Sequence, residues 1–266
     1  MAKTSYIASA MKPEEVPVCT ALDVGSYPLQ YLEKVKSILG DIKSEELKRR
    51  VENTLGLFES GADGKLAQSS PYKLVVLQEI LPKGKVIAFR PRLQIAKKGD
   101  PNFMNGFYVD FGLNLVSSSE DYKVNQIPSE ALASDLKQTG IDLKDAKLIP
   151  YWALTKEVVE GSSTGLVFRL SNEGKDIAKD IILNTSDFEW NYQPSNSGLF
   201  RAYLNSSGNW YASDGNLADS DDCGRVVVET TGEASASQFE VLRKKSEELF
   251  ARQTVERKNL ADKLLR

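Results

Sequence analysis

The spacing of apolar residues divides the chain into helical ends and a strand-rich middle. From residue 26 apolar side chains recur every three or four positions, and a second stripe follows Ser44, with Glu45 and Glu46 in its first turn. Such spacing puts apolar side chains on one helix face, and serine and acidic residues favour helix N-termini. Residues 26–61 therefore predict a helical hairpin.

The middle of the chain predicts strands. Period-two alternation is clearest at residues 107–116, where we expect one face to be buried and the other to face water. Pro91 indicates that its strand lies at a sheet edge or a bulge. One short helix is expected at residues 129–139, with Ser129 as its cap. The other predicted strands are residues 72–81, 86–96, 149–159, 166–170, 177–183, 188–192, 199–204, 209–213 and 225–231.

Strands that recur about every ten residues favour antiparallel pairing over alternating strands and helices. The expected fold class is α+β, mainly β: an antiparallel β-sandwich-like or barrel-like core with an N-terminal helical hairpin and a C-terminal charged helix. Residues 1–66 are assigned to an arm and the hairpin, 67–232 to the β domain, and 233–266 to a C-terminal amphipathic helix.

The C-terminal segment carries a thin apolar stripe on a charged background. Residues 238–266 hold eight basic and five acidic residues. A stripe of this kind is typical of a helix that docks in a groove or pairs with another helix. The predicted interface residues are Leu242, Leu249, Leu260 and Leu264.

Composition removes several classes of chemistry. The 266 residues include no histidine, which excludes Ser–His and Cys–His nucleophiles and histidine-ligated zinc or haem within the chain. Two cysteines, Cys19 and Cys223, cannot build a four-cysteine metal site; their spacing is compatible with a disulfide or with two thiols. Any enzyme activity would rest on carboxylates, lysine, tyrosine, serine or a hard metal ion, and we disfavour it.

Charge and hydropathy point to a protein partner. The net charge of −3 argues against nucleic acid, although a basic stretch at residues 83–98 would offer phosphate contacts if it lay on a sheet face. No apolar run approaches the roughly 18–20 residues that span a bilayer, and the first residues lack the apolar core of a secretory signal. The expected location is the cytoplasm or a macromolecular assembly.

Four aspartates between residues 214 and 222 are the candidate metal ligands. Asp214, Asp219, Asp221 and Asp222 supply carboxylate oxygens in a loop, which is what Ca²⁺ prefers. The EF-hand pattern fails, because the register that starts at Asp219 puts Thr230 where a bidentate glutamate is required. A solvated turn between strands explains the same composition.

An aromatic group near this loop is the candidate ligand-binding surface. Flat rings mixed with amides suit sugar binding, although most aromatic residues of a β protein belong to its core. The aromatic group comprises Trp190, Tyr192, Tyr203, Trp210 and Tyr211. The predicted ligand-binding residues are Trp190, Tyr203, Asn209, Trp210 and Tyr211.

Two functions are therefore expected. The first is a non-enzymatic structural or assembly protein that contacts copies of itself or a larger particle through its terminal arms and helix. The alternative is a carbohydrate-binding module, with calcium as its candidate cofactor, that uses the aromatic group and the aspartate loop.

Overall fold

The computed structural model describes residues 19–117 and 121–230 and shows a mixed α/β fold with six helices and antiparallel sheets. The helices are α1 (Tyr27–Gly40), α2 (Glu45–Leu55), α3 (Pro71–Gln78), α4 (Arg90–Gly99), α5 (Gln126–Gln138) and α6 (Asn172–Ile181). The strands are β1 (Cys19–Ala21), β2 (Glu59–Ser60), β3 (Leu66–Ala67), β4 (Lys85–Ile87), β5 (Val109–Val116), β6 (Lys147–Ile149), β7 (Leu154–Val158), β8 (Leu166–Leu170), β9 (Leu183–Asn184), β10 (Gly198–Leu204), β11 (Trp210–Asp214) and β12 (Val227–Thr230). Helices make up 34% of the structure and strands 27%, so the expected predominance of strands is wrong.

The two predicted N-terminal helices are present as α1 and α2. The Ser44 hydroxyl accepts a hydrogen bond from the Leu47 N–H (3.3 Å), as an N-cap should. The Tyr31 hydroxyl of α1 donates to the Leu55 carbonyl oxygen at the end of α2 (3.0 Å). Their buried side chains belong to one hydrophobic cluster that also contains residues of α3, β5 and β8. The helices therefore pack on the body of the protein through their apolar stripes.

Two antiparallel sheets and two small hairpins account for the strands. The larger sheet has the order β11–β10–β5–β6–β9, and the smaller one has the order β1–β12–β4. The hairpins are β2–β3 and β7–β8. No closed barrel is formed by the strands of the described residues.

Strand β5 is buried on both faces, so the prediction of a solvated face is wrong. Residues from Val109 to Leu115 are all buried, including Asp110 and Asn114. The polar members have internal partners: the Asn114 amide donates to the Ala212 carbonyl oxygen (3.1 Å) and accepts from the Thr185 hydroxyl (2.7 Å). Polar residues that alternate along a strand thus line a second interior surface when their hydrogen bonds are satisfied there.

Most of the apolar run at residues 72–81 lies in helix α3, and the strand predicted there is wrong. Helix α3 begins after Ser70 with Pro71 in its first turn, where the missing N–H costs no hydrogen bond. Its residues from Pro71 to Leu77 are all buried. A helix enclosed on every side shows no apolar stripe, because every position faces the core.

Two further predicted strands are wrong because most of their residues lie in helices. Residues 86–96 divide into the short strand β4 and helix α4, in which Pro91 lies in the first turn. The basic residues of this stretch therefore do not share one sheet face. Residues 177–183 fall mostly in α6, where the Ser171 hydroxyl accepts from the Gly174 N–H (2.9 Å). Helix α5 also begins earlier than predicted; Ser129 lies inside it and donates to the Asn125 carbonyl oxygen (2.7 Å).

A second hydrophobic cluster lies between the two larger sheets and α4. It contains Cys19 and Val227 from the smaller sheet, Val109 and Leu204 from the larger sheet, and Leu93 from α4. Six half-buried apolar or aromatic side chains pack against it, among them Trp190 and Trp210. The two tryptophans of the predicted aromatic group therefore lie at the rim of this cluster.

Candidate functional site

Four tyrosines form a continuous row of rings at the edge of the larger sheet. The ring centroids of Tyr192 and Tyr211 are 4.4 Å apart and those of Tyr211 and Tyr203 are 5.2 Å apart, both stacked. Tyr108 continues the row with its ring edge-on to Tyr203 (6.3 Å). We call Tyr192, Tyr211, Tyr203 and Tyr108 the tyrosine row.

The sheet register produces this row. Tyr203 of β10 and Tyr211 of β11 are partners across an antiparallel pair, so their side chains leave the sheet on the same side. Tyr192 forms an isolated bridge with Tyr211 and is 55% exposed, whereas the other three tyrosines are half-buried. The row therefore begins at an open ring and ends beside Arg201.

A fully buried ion pair lies beneath the inner end of the row. The Arg201 guanidinium donates to both carboxylate oxygens of Asp110, from Nε (2.8 Å) and from Nη2 (2.6 Å). The Ser69 hydroxyl also donates to Asp110 (3.2 Å). Complete burial raises the pKa of Asp110 despite its guanidinium partner. Burial opposes the charge of Arg201 as well, but the carboxylate beside it keeps the pKa of Arg201 well above its ordinary value.

Arg201 also fixes one end of the aspartate loop. Its Nη1 donates to the Asp219 carbonyl oxygen (3.2 Å) and lies 3.6 Å from a carboxylate oxygen of Asp214. The guanidinium carbon is 5.1 Å from the Tyr108 ring centroid and 5.3 Å from that of Tyr203. One arginine thus connects the buried pair, the tyrosine row and residues 214–222, which we call the acidic loop.

A second buried arginine fixes the other end of the acidic loop. Arg225 Nη1 donates to the Asp222 carbonyl oxygen (2.6 Å), and its Nε donates to Asp63 (3.0 Å). The guanidinium carbon lies 4.0 Å from the Phe107 ring centroid. Two guanidinium groups therefore hold the loop backbone from beneath.

The predicted metal ligands are distributed along the surface of this loop. Asp219, Asp221 and Asp222 are exposed and Asp214 is half-buried. Asp214 and Asp221 each accept a backbone N–H two residues further on (2.8 Å), so both carboxylates support turns. Within residues 19–117 and 121–230 no group of three or more acidic or cysteine side chains is arranged to hold a metal ion. Calcium binding by these aspartates stays a prediction.

The predicted aromatic group is split between two environments. Trp190 and Trp210 enclose the side chain of Arg90, whose guanidinium carbon lies 3.8 and 4.6 Å from their ring centroids. Tyr203 and Tyr211 belong to the tyrosine row instead. Asn209 lies at the β10–β11 turn, where its N–H donates to the Asn205 side chain (2.8 Å). Of the predicted ligand-binding residues, the structure brings only Tyr203 and Tyr211 into the surface row, where they join Tyr192 of the same aromatic group.

Arg90 is a buried cation that sequence reasoning missed. It is completely buried, Phe188 forms a third side of its cage (4.8 Å), and one guanidinium nitrogen donates to the Glu189 carbonyl oxygen. Burial lowers the pKa of Arg90 to about 9. The arginine and its aromatic partners lie about a hundred residues apart in sequence, so no local pattern announces the cage.

The ends of the described chain meet in the smaller sheet. Cys19 of β1 is the register partner of Glu229 in β12, which is the central strand. Glu229 is buried 3.8 Å from Arg92, and burial raises its pKa to about 7. Cys19 is a buried free thiol, and burial raises its pKa to about 12. Cys223 is an exposed free thiol. The predicted interface residues Leu242, Leu249, Leu260 and Leu264 lie outside the described residues.

No helix within the described ranges is long and apolar enough to cross a membrane.

Comparison with known proteins adds no relative. Searches of protein-family models, of curated proteins and of solved structures each found no match to this chain.

Proposed function

We propose that this chain is a non-enzymatic assembly protein whose residues 1–18 and 231–266 contact copies of itself or a larger particle. The observation that carries the proposal is the register of the smaller sheet, in which Cys19 lies opposite Glu229. Because β1 and β12 are antiparallel, Cys19 and Thr230, the first and last residues that the structure describes, lie at the same end of this sheet.

A shared departure point suits a protein that holds partners through its ends. Strand β12 is hydrogen-bonded to β1 on one side and to β4 on the other, so it is anchored through both edges. A pulling force on residues 231–266 then acts on the central strand of this sheet, which is held by hydrogen bonds on both sides, rather than on an edge strand. The leucine stripe of residues 238–266 supplies the apolar contact surface that such an arm needs.

Sedimentation velocity on the full chain tests this proposal. We expect the sedimentation coefficient to rise with protein concentration. The variant Leu249→Glu with Leu260→Glu places two charges in the apolar stripe and should sediment as a monomer. The matched control is Leu57→Glu, because Leu57 is exposed (52%) on the described part of the chain and should tolerate charge. A wild-type chain that stays monomeric at every concentration would contradict self-assembly.

The finer architecture and location belong to the same proposal. We propose that the larger and smaller sheets act as the two layers of a sandwich-like core, which is supported by the hydrophobic cluster that both sheets share. We also propose that the chain works in the cytoplasm or within a macromolecular assembly. Slow hydrogen exchange of the backbone amides of β5 and β12, with the same opening free energy in both strands, would support the layered core.

Carbohydrate binding is the second candidate, and the exposed ring of Tyr192 favours it. A sugar could stack on Tyr192, whereas one side of Trp190 and of Trp210 is covered by Arg90. Binding on a glycan array that disappears with Tyr192→Ala and persists with Trp210→Phe would support this function. An array without any bound glycan would exclude it for the glycans tested.

A further inference from the structure

We propose that the tyrosine row and the acidic loop form one docking surface for residues 238–266 of a second copy of this chain. This inference rests on the assembly function proposed above and names the surface that the C-terminal segment recognises. The surface is defined by Tyr192, Tyr211 and Tyr203 of the row and by residues 214–222.

The row offers ring faces to a cation at its outer end. Tyr192 is stacked on Tyr211, which leaves the other face of Tyr192 to solvent with 55% of the residue exposed. Tyrosine faces attract lysine and arginine side chains through the ring quadrupole. The inner end already uses this interaction, since Arg201 lies against Tyr203 and Tyr108. The chemistry of the row therefore suits a basic partner.

The acidic loop adds three exposed carboxylates to this surface. Asp219, Asp221 and Asp222 are exposed, and none of their carboxylates forms an ion pair with a lysine or arginine of the described ranges. Arg201 and Arg225 contact the loop through its backbone carbonyl oxygens at Asp219 and Asp222. The Asp221 and Asp222 carboxylates each accept one hydrogen bond, from the Cys223 N–H (2.8 Å) and the Gln68 amide (3.4 Å). The exposed carboxylates therefore keep their negative charge for a partner while the loop backbone is held in place.

Residues 238–266 match this surface in charge. They hold eight basic and five acidic residues, including the run Arg243, Lys244 and Lys245, in a chain whose net charge is −3. A basic arm on an otherwise acidic body attracts the body of a neighbour, and this attraction raises the association rate as well as selecting the partner.

The path of β12 favours a neighbouring copy as the recipient. The Arg225 N–H donates to the Tyr108 carbonyl oxygen (2.9 Å), so the chain is beside the row just before β12 begins. From Arg225 an extended strand carries the chain about 16 Å away by Thr230. Thr230 pairs with Lys85 of β4 at that far end of the smaller sheet. The described chain therefore ends about 16 Å from its own docking surface, and the assembly function proposed above assigns that surface to the C-terminal segment of a neighbour.

Sedimentation equilibrium on full-length variants tests the surface. We expect Tyr192→Ala to raise the dimer dissociation constant about fivefold, through loss of a ring that contacts a cation. Asp219→Asn with Asp222→Asn should raise it about tenfold in low salt, and this difference should fade in high salt as charges are screened. The control Glu52→Gln with Asp176→Asn removes two exposed acids elsewhere and should change nothing.

A charge exchange between surface and arm gives the decisive result. Asp219→Lys with Asp222→Lys reverses the surface, and Lys244→Glu with Lys245→Glu reverses the arm; each variant alone should associate weakly. An equimolar mixture should recover association, because the acidic arm then meets the basic surface.

Three outcomes would overturn the inference. If Leu249→Glu with Leu260→Glu abolishes association but no surface variant changes it, the arm docks elsewhere and the assembly function survives. If the mixture fails to recover association, or if the arm binds its own surface at a concentration-independent strength, a second copy is not the occupant. If Tyr192→Ala abolishes glycan binding and leaves association unchanged, the row is a sugar site.

Discussion

The buried pair of Asp110 and Arg201 makes the sharpest stability prediction. Asp110 is 1% exposed and Arg201 is 4% exposed, so neither charge reaches water when its partner is removed. Removal of one member of a buried ion pair typically costs about 3–5 kcal/mol of unfolding free energy, because an uncompensated charge stays in the interior. The remaining contacts decide where each variant falls in this range.

The two single variants should differ in size. Asp110→Ala leaves Arg201 within 3.6 Å of a carboxylate oxygen of Asp214 and hydrogen-bonded to the Asp219 carbonyl, so we expect about 3 kcal/mol. Arg201→Met leaves Asp110 with the Ser69 hydroxyl as its remaining side-chain donor among the described residues, so we expect about 5 kcal/mol at pH 7. The second cost should shrink in acid, where Asp110 takes up a proton and loses its charge.

Urea unfolding of a double-mutant cycle measures the coupling. The double variant should cost at least about 2 kcal/mol less than the sum of the single variants, because neither charge is then buried alone. The control is Lys144→Ala, which breaks an exposed pair with Asp142 (3.8 Å) and should cost less than about 0.5 kcal/mol. Additive single costs would refute the reasoning, since they would show that the two charges are independent.

Three further predictions follow from other parts of the fold. Burial raises the pKa of Glu229 from 4.5 to about 7, so between these pH values the folded state binds a proton that the unfolded state has lost. The unfolding free energy should therefore fall by up to about 3 kcal/mol as the pH rises from 4.5 to 7. Urea unfolding at several pH values measures this slope, and Glu229→Gln should abolish it. Gly174→Ala should lower the melting temperature, because a Cβ there would collide with a backbone carbonyl oxygen at a cost of about 1–3 kcal/mol, whereas Gly40→Ala, with open space around it, should not. Arg225→Met should release one end of the acidic loop and speed its cleavage by a protease specific for aspartate; an unchanged cleavage rate would show that Arg225 does not hold the loop.

The local signals in the sequence were sufficient where a helix or strand has one solvated face. Helices α1 and α2 follow from their stripes and from the Ser44 cap. The strands predicted at residues 199–204 and 209–213 are also confirmed, as β10 and β11, although β10 is buried along almost its whole length. In the two helices periodicity reports which side meets water, and that is the information a single sequence carries best.

Prediction failed where burial removes the periodicity or where contacts are distant in sequence. Helix α3 is apolar on all sides, and a continuous apolar run fits a buried strand equally well. The sequence does contain a signal for α6, since Ser171 caps it and Glu173 lies in its first turn, but the strand period predicted for its apolar residues is wrong. The pairing of Asp110 with Arg201 joins residues 91 positions apart, and only the assembled sheet brings them together.

The central position of β12 has a consequence for synthesis of the chain. Strands β1 and β4 both pair with β12 and not with each other, so neither has a partner in this sheet until Val227–Thr230 has emerged from the ribosome. A nascent chain must carry two unpaired strand edges through most of its translation, and such edges are the groups that recruit chaperones or pair wrongly. Premature termination just before Val227 should therefore yield aggregation-prone chains, even though all six helices of the described residues precede that position.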